Sequence, residues 1–233
     1  MVINDKYEFI FLHIPKTAGT SMTALLRSLE GNNTRQIAKK TKHETYGKLS
    51  NKWARRASKA APGEYRDISN YRVIGFVRNP WERMSSLYRY LVERRPREEI
   101  DSIKDFPDFI EQAGNDTAWI HGLHSMRPQI DFFKSSDGHT LVGDFAGHFE
   151  HLEEDFLSVS KLLNLPDTSL PIRNASSNAG NDYQAQYSDR MIEIIGSLFR
   201  EDIETFGYDF RKRPPSRRCS GRLHRCRQIN ALE

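Results

Sequence analysis

The chain has 233 residues, 37% hydrophobic and 28% charged, with a formal net charge of +4; that length fits one domain with room for a three-layer α/β core. The charge is uneven: from Arg211 onward lie eight of the 35 Lys/Arg and one of the 31 acids, leaving 27 basic and 30 acidic residues, net −3, in the body. A nucleic-acid-binding body therefore finds no support in the charge, a disulfide framework is excluded because both cysteines (Cys219 and Cys226) sit in the tail, and no stretch reaches the roughly 18 apolar residues of a membrane span. Residues 1–8 lack the form of a secretory signal and run straight into the first predicted strand, so a soluble, cytoplasmic protein is expected.

Residues 9–14, FIFLHI, are an apolar run that predicts a buried strand. It ends at Pro15 and is followed by Lys16, Thr17, Ala18, Gly19, Thr20 and Ser21, then by apolar residues at helical spacing: Met22, Leu25, Leu26 and Leu29. Strand, tight loop and helix together present backbone N–H groups and a helix N-terminus to an anion. Gly19 allows close backbone approach, Thr20 and Ser21 can cap the helix or bond a phosphate oxygen, and Lys16 adds a point charge. The nucleotide-triphosphatase loop places its Lys late, after a leading Gly; here Lys16 comes early and Gly19 is the loop's only glycine. PKTAGTS after an apolar strand resembles the 5′-phosphosulfate loop of sulfotransferases that use 3′-phosphoadenosine 5′-phosphosulfate (PAPS).

Residues 35–66 carry ten Lys/Arg against Glu44 and Glu64. Such a segment is either a solvated basic face or a wall that attracts an anionic ligand. Within it a helix is predicted over 46–61, stopped by Pro62-Gly63. Residues 71–77, YRVIGFV, predict a second buried parallel strand. It leads into FVRNPWERMSSLY, where Pro80 suits a first helical turn and Trp81, Met84, Leu87, Tyr88 and Leu91 recur at helical spacing. Arg78 thus stands at a strand's carboxyl end, where open α/β sheets bind ligands, and Ser86 follows eight residues later. This arrangement is similar to the 3′-phosphate site of the same family, in which Arg78 and Ser86 would hold the 3′-phosphate; Ser85 is the neighbour with which Ser86 could be confused. The two motifs together identify residues 7–210 with the carbohydrate-type, soluble bacterial-like sulfotransferase family 2. The resemblance implies a three-layer α/β/α P-loop-like fold with a central, mostly parallel sheet, and cofactor contacts from Lys16, Thr17, Ala18, Gly19, Thr20, Ser21, Arg78 and Ser86.

The cluster Arg94, Arg95 and Arg97 complements a helix dipole. Phe106, Phe109 and Ile110 predict a short helix; His121 and His124 lack the further ligands a zinc site needs and are read as loop or helix histidines in a segment suited to substrate binding. Residues 141–149, LVGDFAGHF, predict a third strand, and the acids at 150 and 153–155 open a helix to Leu163 as its dipole prefers. The loop 170–180, LPIRNASSNAG, offers Arg173, Asn174 and Ser176 as phosphate helpers by the family's pattern. Asp189 is expected to cap a last long helix whose stripe is Met191, Ile194, Ile195, Leu198, Phe199 and Ile203. The domain is expected to span 1–210, and the basic tail 211–233 reads as disordered, able to touch anionic surfaces.

The resemblance implies sulfuryl transfer from PAPS, a co-substrate needing no metal, to a hydroxyl of a carbohydrate or glycolipid. Charge grows on the leaving phosphate, where Lys16 and the loop amides would act. The base is expected to be His43, with Glu44 the alternative carboxylate; His13 reads as a hydrogen-bonded residue at the core's edge. Two other readings stay open: a P-loop nucleotide kinase or ATPase, distinguished by Mg²⁺ dependence, and a catalytically idle protein that binds adenosine bisphosphate or a polyanion.

Overall fold

The structure, a computed structural model, describes residues 1–32, 42–94, 98–166 and 183–214. Arg173, Asn174, Ser176, residues 33–41 of the basic segment, Arg95 and Arg97, and the tail from residue 215 with both cysteines lie outside the described residues.

Four strands form one mixed open sheet: β1 (Val2–Asn4), β2 (Phe9–Leu12), β3 (Arg72–Val77) and β4 (Phe145–His148), in the order β1-β2-β3-β4. β1 pairs antiparallel with β2, while β2–β3 and β3–β4 are parallel, with Leu12 opposite Gly75 and Val77 opposite His148. Strand side chains alternate between faces, and the sequence supplies apolar residues for both. Ile10, Leu12, Val73, Val77 and Ala146 enter one apolar cluster; Phe9, Phe11, Ile74, Phe76 and Phe145 enter the other. This is the signature of a sheet covered on both sides.

The described helices are α1 (Gly19–Ser28), α2 (Tyr46–Ala57), α3 (Pro80–Arg94), α4 (Glu98–Asp101), α5 (Phe106–Gly114), α6 (Ala118–His121), α7 (Leu152–Leu162), α8 (Asp189–Leu198) and α9 (Arg200–Phe206). Met22 and Leu26 of α1 and Phe156 and Val159 of α7 join the Phe9–Phe11 face. α2, α3, α5 and α8 supply the opposite face through residues such as Trp53, Trp81, Phe109 and Ile195.

The elements differ from the sequence reading at several places, among them α2, predicted over 46–61 but ending at Ala57. Residues 1–8 contain a strand of their own, β1, whose three residues are too few to show a pattern. The third predicted strand shrinks to Phe145–His148, because Leu141 instead bridges Lys134 and Val142 N donates to Phe133 O at 2.9 Å. The last long helix is two, broken at Phe199 (φ −119°, ψ 30°). Its cap is Ser188, whose hydroxyl accepts from Met191 N, and Asp189 is the first helical residue.

A buried polar network ties the second half of the chain to the end of β3. Arg83 on α3 is fully buried and donates through one Nη to the carbonyls of Ser125 (2.5 Å) and Arg127 (2.8 Å). Its other Nη lies 3.8 Å from Asp202 Oδ2, a charge contact rather than a hydrogen bond. The Asp202 oxygens accept from Gln129 N and Ile130 N, both at 2.8 Å. Gln129 in turn clamps the Arg78 backbone, accepting from its N–H at 2.9 Å and donating to its carbonyl at 2.8 Å. Removing one partner of a buried charge pair leaves the other uncompensated, at a cost of about 3–5 kcal/mol. Asp202→Ala is therefore expected to lower the unfolding free energy by about 3–5 kcal/mol in urea denaturation, with Asp202→Asn intermediate because one amide acceptor remains.

Candidate active site

The parallel strands deliver their carboxyl ends to one edge of the sheet. The residues that follow β2, β3 and β4 include His13 and Lys16, Arg78, and Phe149, and all four line one cavity of about 500 Å³. α3 and the turn before α2 complete the wall, with Ser86, Arg89 and Tyr90 from the first and Lys42 and His43 from the second.

The loop between β2 and α1 is tightly constrained. Lys16 (φ 67°) and Ala18 (φ 59°) both occupy the left-handed region, which costs an ordinary residue about 1–2 kcal/mol. Thr17 is buried and its hydroxyl donates to Ile14 O at 3.0 Å, so its side chain braces the loop from within instead of facing the cavity. Ala18 is the N-cap of α1 and supplies no side-chain cap. Ser21 N and Met22 N turn back on Ala18 O, at 3.1 and 3.4 Å. The amides of residues 17–20 make no hydrogen bond of standard geometry among the described residues. A helix start without a side-chain cap leaves backbone donors that suit an anion, and alternate left-handed residues shape concavities of that kind. Gly19 is required by its neighbour: a Cβ there would lie 2.4 Å from His13 Cδ2.

His13 and His43 meet edge to face, ring centroids 4.7 Å apart. His13 is buried, with Nδ1 2.8 Å from the Thr23 hydroxyl, and burial together with nearby positive charge pushes its pKa down to about 2. His43 Nδ1 lies 2.9 Å from the His13 carbonyl. A carbonyl only accepts, so Nδ1 carries the proton and Nε2 keeps its lone pair. Burial pulls the His43 pKa down to about 4, partly opposed by that hydrogen bond. At neutral pH His43 is therefore an uncharged acceptor on the cavity wall. Glu44, the alternative base, is not on that wall and forms an ion pair with Lys52. The His43 backbone is fixed from the helix side, since Thr45 caps α2 by accepting from Lys48 N at 3.3 Å.

Arg78 is 7% exposed. It donates to Lys16 O (3.2 Å) and Glu82 Oε1 (2.6 Å), and its guanidinium lies 4.1 Å from the Phe149 ring centre. Its Nε is buried with no acceptor among the described residues. The sequence Arg-Asn-Pro explains the local turn: Asn79 Oδ1 caps α3, accepting from Trp81 N at 3.1 Å, and Pro80 begins the helix. Ser86 lines the cavity, whereas Ser85 is buried and donates to Gln186 Oε1 at 3.2 Å. Lys16 reaches across to α3, its Nζ 4.2 Å from the Tyr90 ring centre. Burial, helped by the charges of Arg78 and Arg89, lowers the Lys16 pKa to about 8.

Of the residues singled out in the sequence, Lys16, Ala18, Gly19, Thr20, Ser21, His43, Arg78 and Ser86 converge on the cavity; the Thr17 side chain and Glu44 do not. Sequence reasoning missed Arg89, Tyr90 and Glu93 and read Arg94 as a dipole partner, yet all four line the same wall. Their signal was the helical spacing from Ser86 to Arg89 and Tyr90, and then to Glu93 and Arg94. Ser125 also lines this cavity, and its neighbours His124 and Met126 line a second one of about 310 Å³. His124 is near enough for its charge to bear on His43.

At one edge of the α/β sheet, cationic side chains and a neutral histidine thus share one cavity. Residues 1–209 match the sulfotransferase family, and the chain belongs to it. A similar curated sequence is an uncharacterized protein of Archaeoglobus fulgidus, 30% identical over 100 residues, 43% of this chain and 73% of that protein. No solved structure matches.

Gly19→Ala is expected to drive Cβ into His13, shift the loop and destabilise the fold by about 1–3 kcal/mol, the range for overpacking. Thermal unfolding checks the stability loss, and anion affinity should fall with it.

Proposed function

We propose that the chain transfers a sulfuryl group from PAPS to a hydroxyl of a carbohydrate or glycolipid, within a three-layer α/β/α P-loop-like fold. The observation that carries this reading is the meeting of two cationic anchors and a neutral base at one cavity: the Lys16 loop, Arg78 with Ser86, and His43. The buried, unpartnered Nε of Arg78 and the uncapped start of α1 suit a ligand with two anionic ends.

PAPS, when bound, supplies an activated sulfuryl group on its 5′-phosphate. The amides of residues 17–20 and the Lys16 ammonium hold that 5′ end and stabilise the charge that grows there; one such donor is worth about 3–4 kcal/mol. Arg78 and Ser86 would hold the 3′-phosphate and so orient the donor. His43 Nε2 takes the proton of the acceptor hydroxyl, while the His13 carbonyl holds its Nδ1–H and keeps the ring oriented. The second cavity, lined by His121, His124 and Arg127, is the acceptor's place in this reading. A cytoplasmic setting fits the absence of cysteine before residue 219.

Thermal unfolding with adenosine 3′,5′-bisphosphate, against ATP with Mg²⁺, tests the donor. At about 100 times its dissociation constant the bisphosphate should add ~2.7 kcal/mol of stability, a rise of a few degrees. A rise with ATP and Mg²⁺ alone would replace this reading with a nucleotide kinase. His43→Ala should keep the bisphosphate rise and lose turnover by at least about 100-fold; retained turnover would remove His43 from the role of base.

The pH profile follows from two groups acting with opposite sign. The base works unprotonated, so kcat/KM should stay level down to about pH 5 and fall only toward the His43 pKa of about 4. Lys16 works protonated, so kcat/KM should fall as pH rises through about 8. Lys16→Arg should move that alkaline limb upward, because a guanidinium stays charged.

A further inference from the structure

We infer that Arg89 is a second ligand of the donor's 5′ end, sharing with Lys16 the anion that the β2–α1 loop cradles. The inference rests on the sulfotransferase reading and adds a residue that neither phosphate motif contains.

Three observations converge. Arg89 lies one helical turn beyond Ser86 on the cavity face of α3, next to Tyr90, over which Lys16 Nζ rests at 4.2 Å. Its Nε is buried and takes no acceptor among the described residues. No carboxylate lies within ion-pair distance of Arg89 or Lys16 among the described residues; Glu93, on the same wall, acts on Lys16 from farther away and only partly offsets burial and the two arginines. Arg78 is different, for its guanidinium is already held by Glu82, Lys16 O and the Phe149 ring.

Arg89 is thus a second cation on the wall that Lys16 reaches, and its charge bears on Lys16 in a half-buried site. Desolvated like charges repel, and an anion between them turns the repulsion into two attractions. Any anion so placed touches Lys16, which in the proposed function holds the 5′ end. Ser86, a turn nearer the start of α3, and Arg78, just before that helix, keep the 3′ end. A guanidinium also offers two parallel donors that match phosphate geometry.

The test is calorimetric titration of wild type, Arg89→Gln and Arg89→Lys with adenosine 3′,5′-bisphosphate and with adenosine 3′-monophosphate, which lacks the 5′ anion. Arg89→Gln should weaken the bisphosphate by about 10- to 100-fold, the range of one charge-assisted hydrogen bond, and the monophosphate by less than about twofold. Arg89→Lys should recover part of the loss. The alkaline fall in bisphosphate affinity should also move to higher pH in Arg89→Gln, because losing the neighbouring charge raises the Lys16 pKa; a purely structural role would not move it. Equal losses for both nucleotides, or an unchanged bisphosphate affinity, would overturn the inference while leaving the donor assignment standing. A wild-type protein that binds no bisphosphate would overturn the donor assignment, and this inference with it.

Discussion

The architecture of this protein depends on how one fully buried arginine is held. Arg83 projects from the helix that carries Ser86 and gathers two carbonyls from the 125–127 segment, while Asp202 faces its charge and organises two amides of the same stretch. Gln129 passes the constraint on to Arg78 through two backbone hydrogen bonds. Desolvating a guanidinium and a carboxylate is costly, and such pairs add little net stability over apolar residues. What the network gives here is position. It couples the end of β3, the start of α3, the wall between the two cavities and α9, and these elements come from sequence positions more than a hundred residues apart.

Against that rigid frame the cavity itself is built from unfavourable local choices. Two non-glycine residues adopt left-handed conformations in the β2–α1 loop, and α1 begins without a side-chain cap. Lys16 and Arg89 share one cavity wall with the charge of Arg89 bearing on Lys16, and two imidazoles, one buried and one half-buried, are held neutral. Each departure costs stability, and each leaves a donor, a cation or a lone pair directed at the cavity. Local strain at a site is sustained when the surrounding structure over-determines it, and the packed two-sided sheet does so here.

The histidine pair shows how one chain separates two chemically identical side chains. His13 is buried against Thr23, held uncharged, and its ring occupies the space that only a glycine at 19 leaves open. Its carbonyl, rather than its ring, serves the site by fixing the tautomer of His43. The sequence reading chose His43 over His13 from its place in the basic segment and from the family resemblance. The physical reason is burial: His13 lies at the end of a strand inside the core, and His43 lies in the turn that leads to a capped helix on the cavity rim.

The sequence by itself determined the β2–α1 loop, the strand-to-helix turn at Arg78, the proline that starts α3, and the family, because these are local patterns in which adjacent residues make the structure. It did not reveal β1, which is too short for a period, or the break at Phe199, where the apolar stripe continues through a change of direction. Nor did it place Glu44 off the wall, or bring Arg89, Tyr90, Ser125 and Phe149 to the cavity. Those facts were decided by tertiary structure, for a cavity wall is assembled from side chains whose neighbours in space are remote in sequence. Helical spacing says which residues share a face, and only packing against the sheet decides which face meets the site.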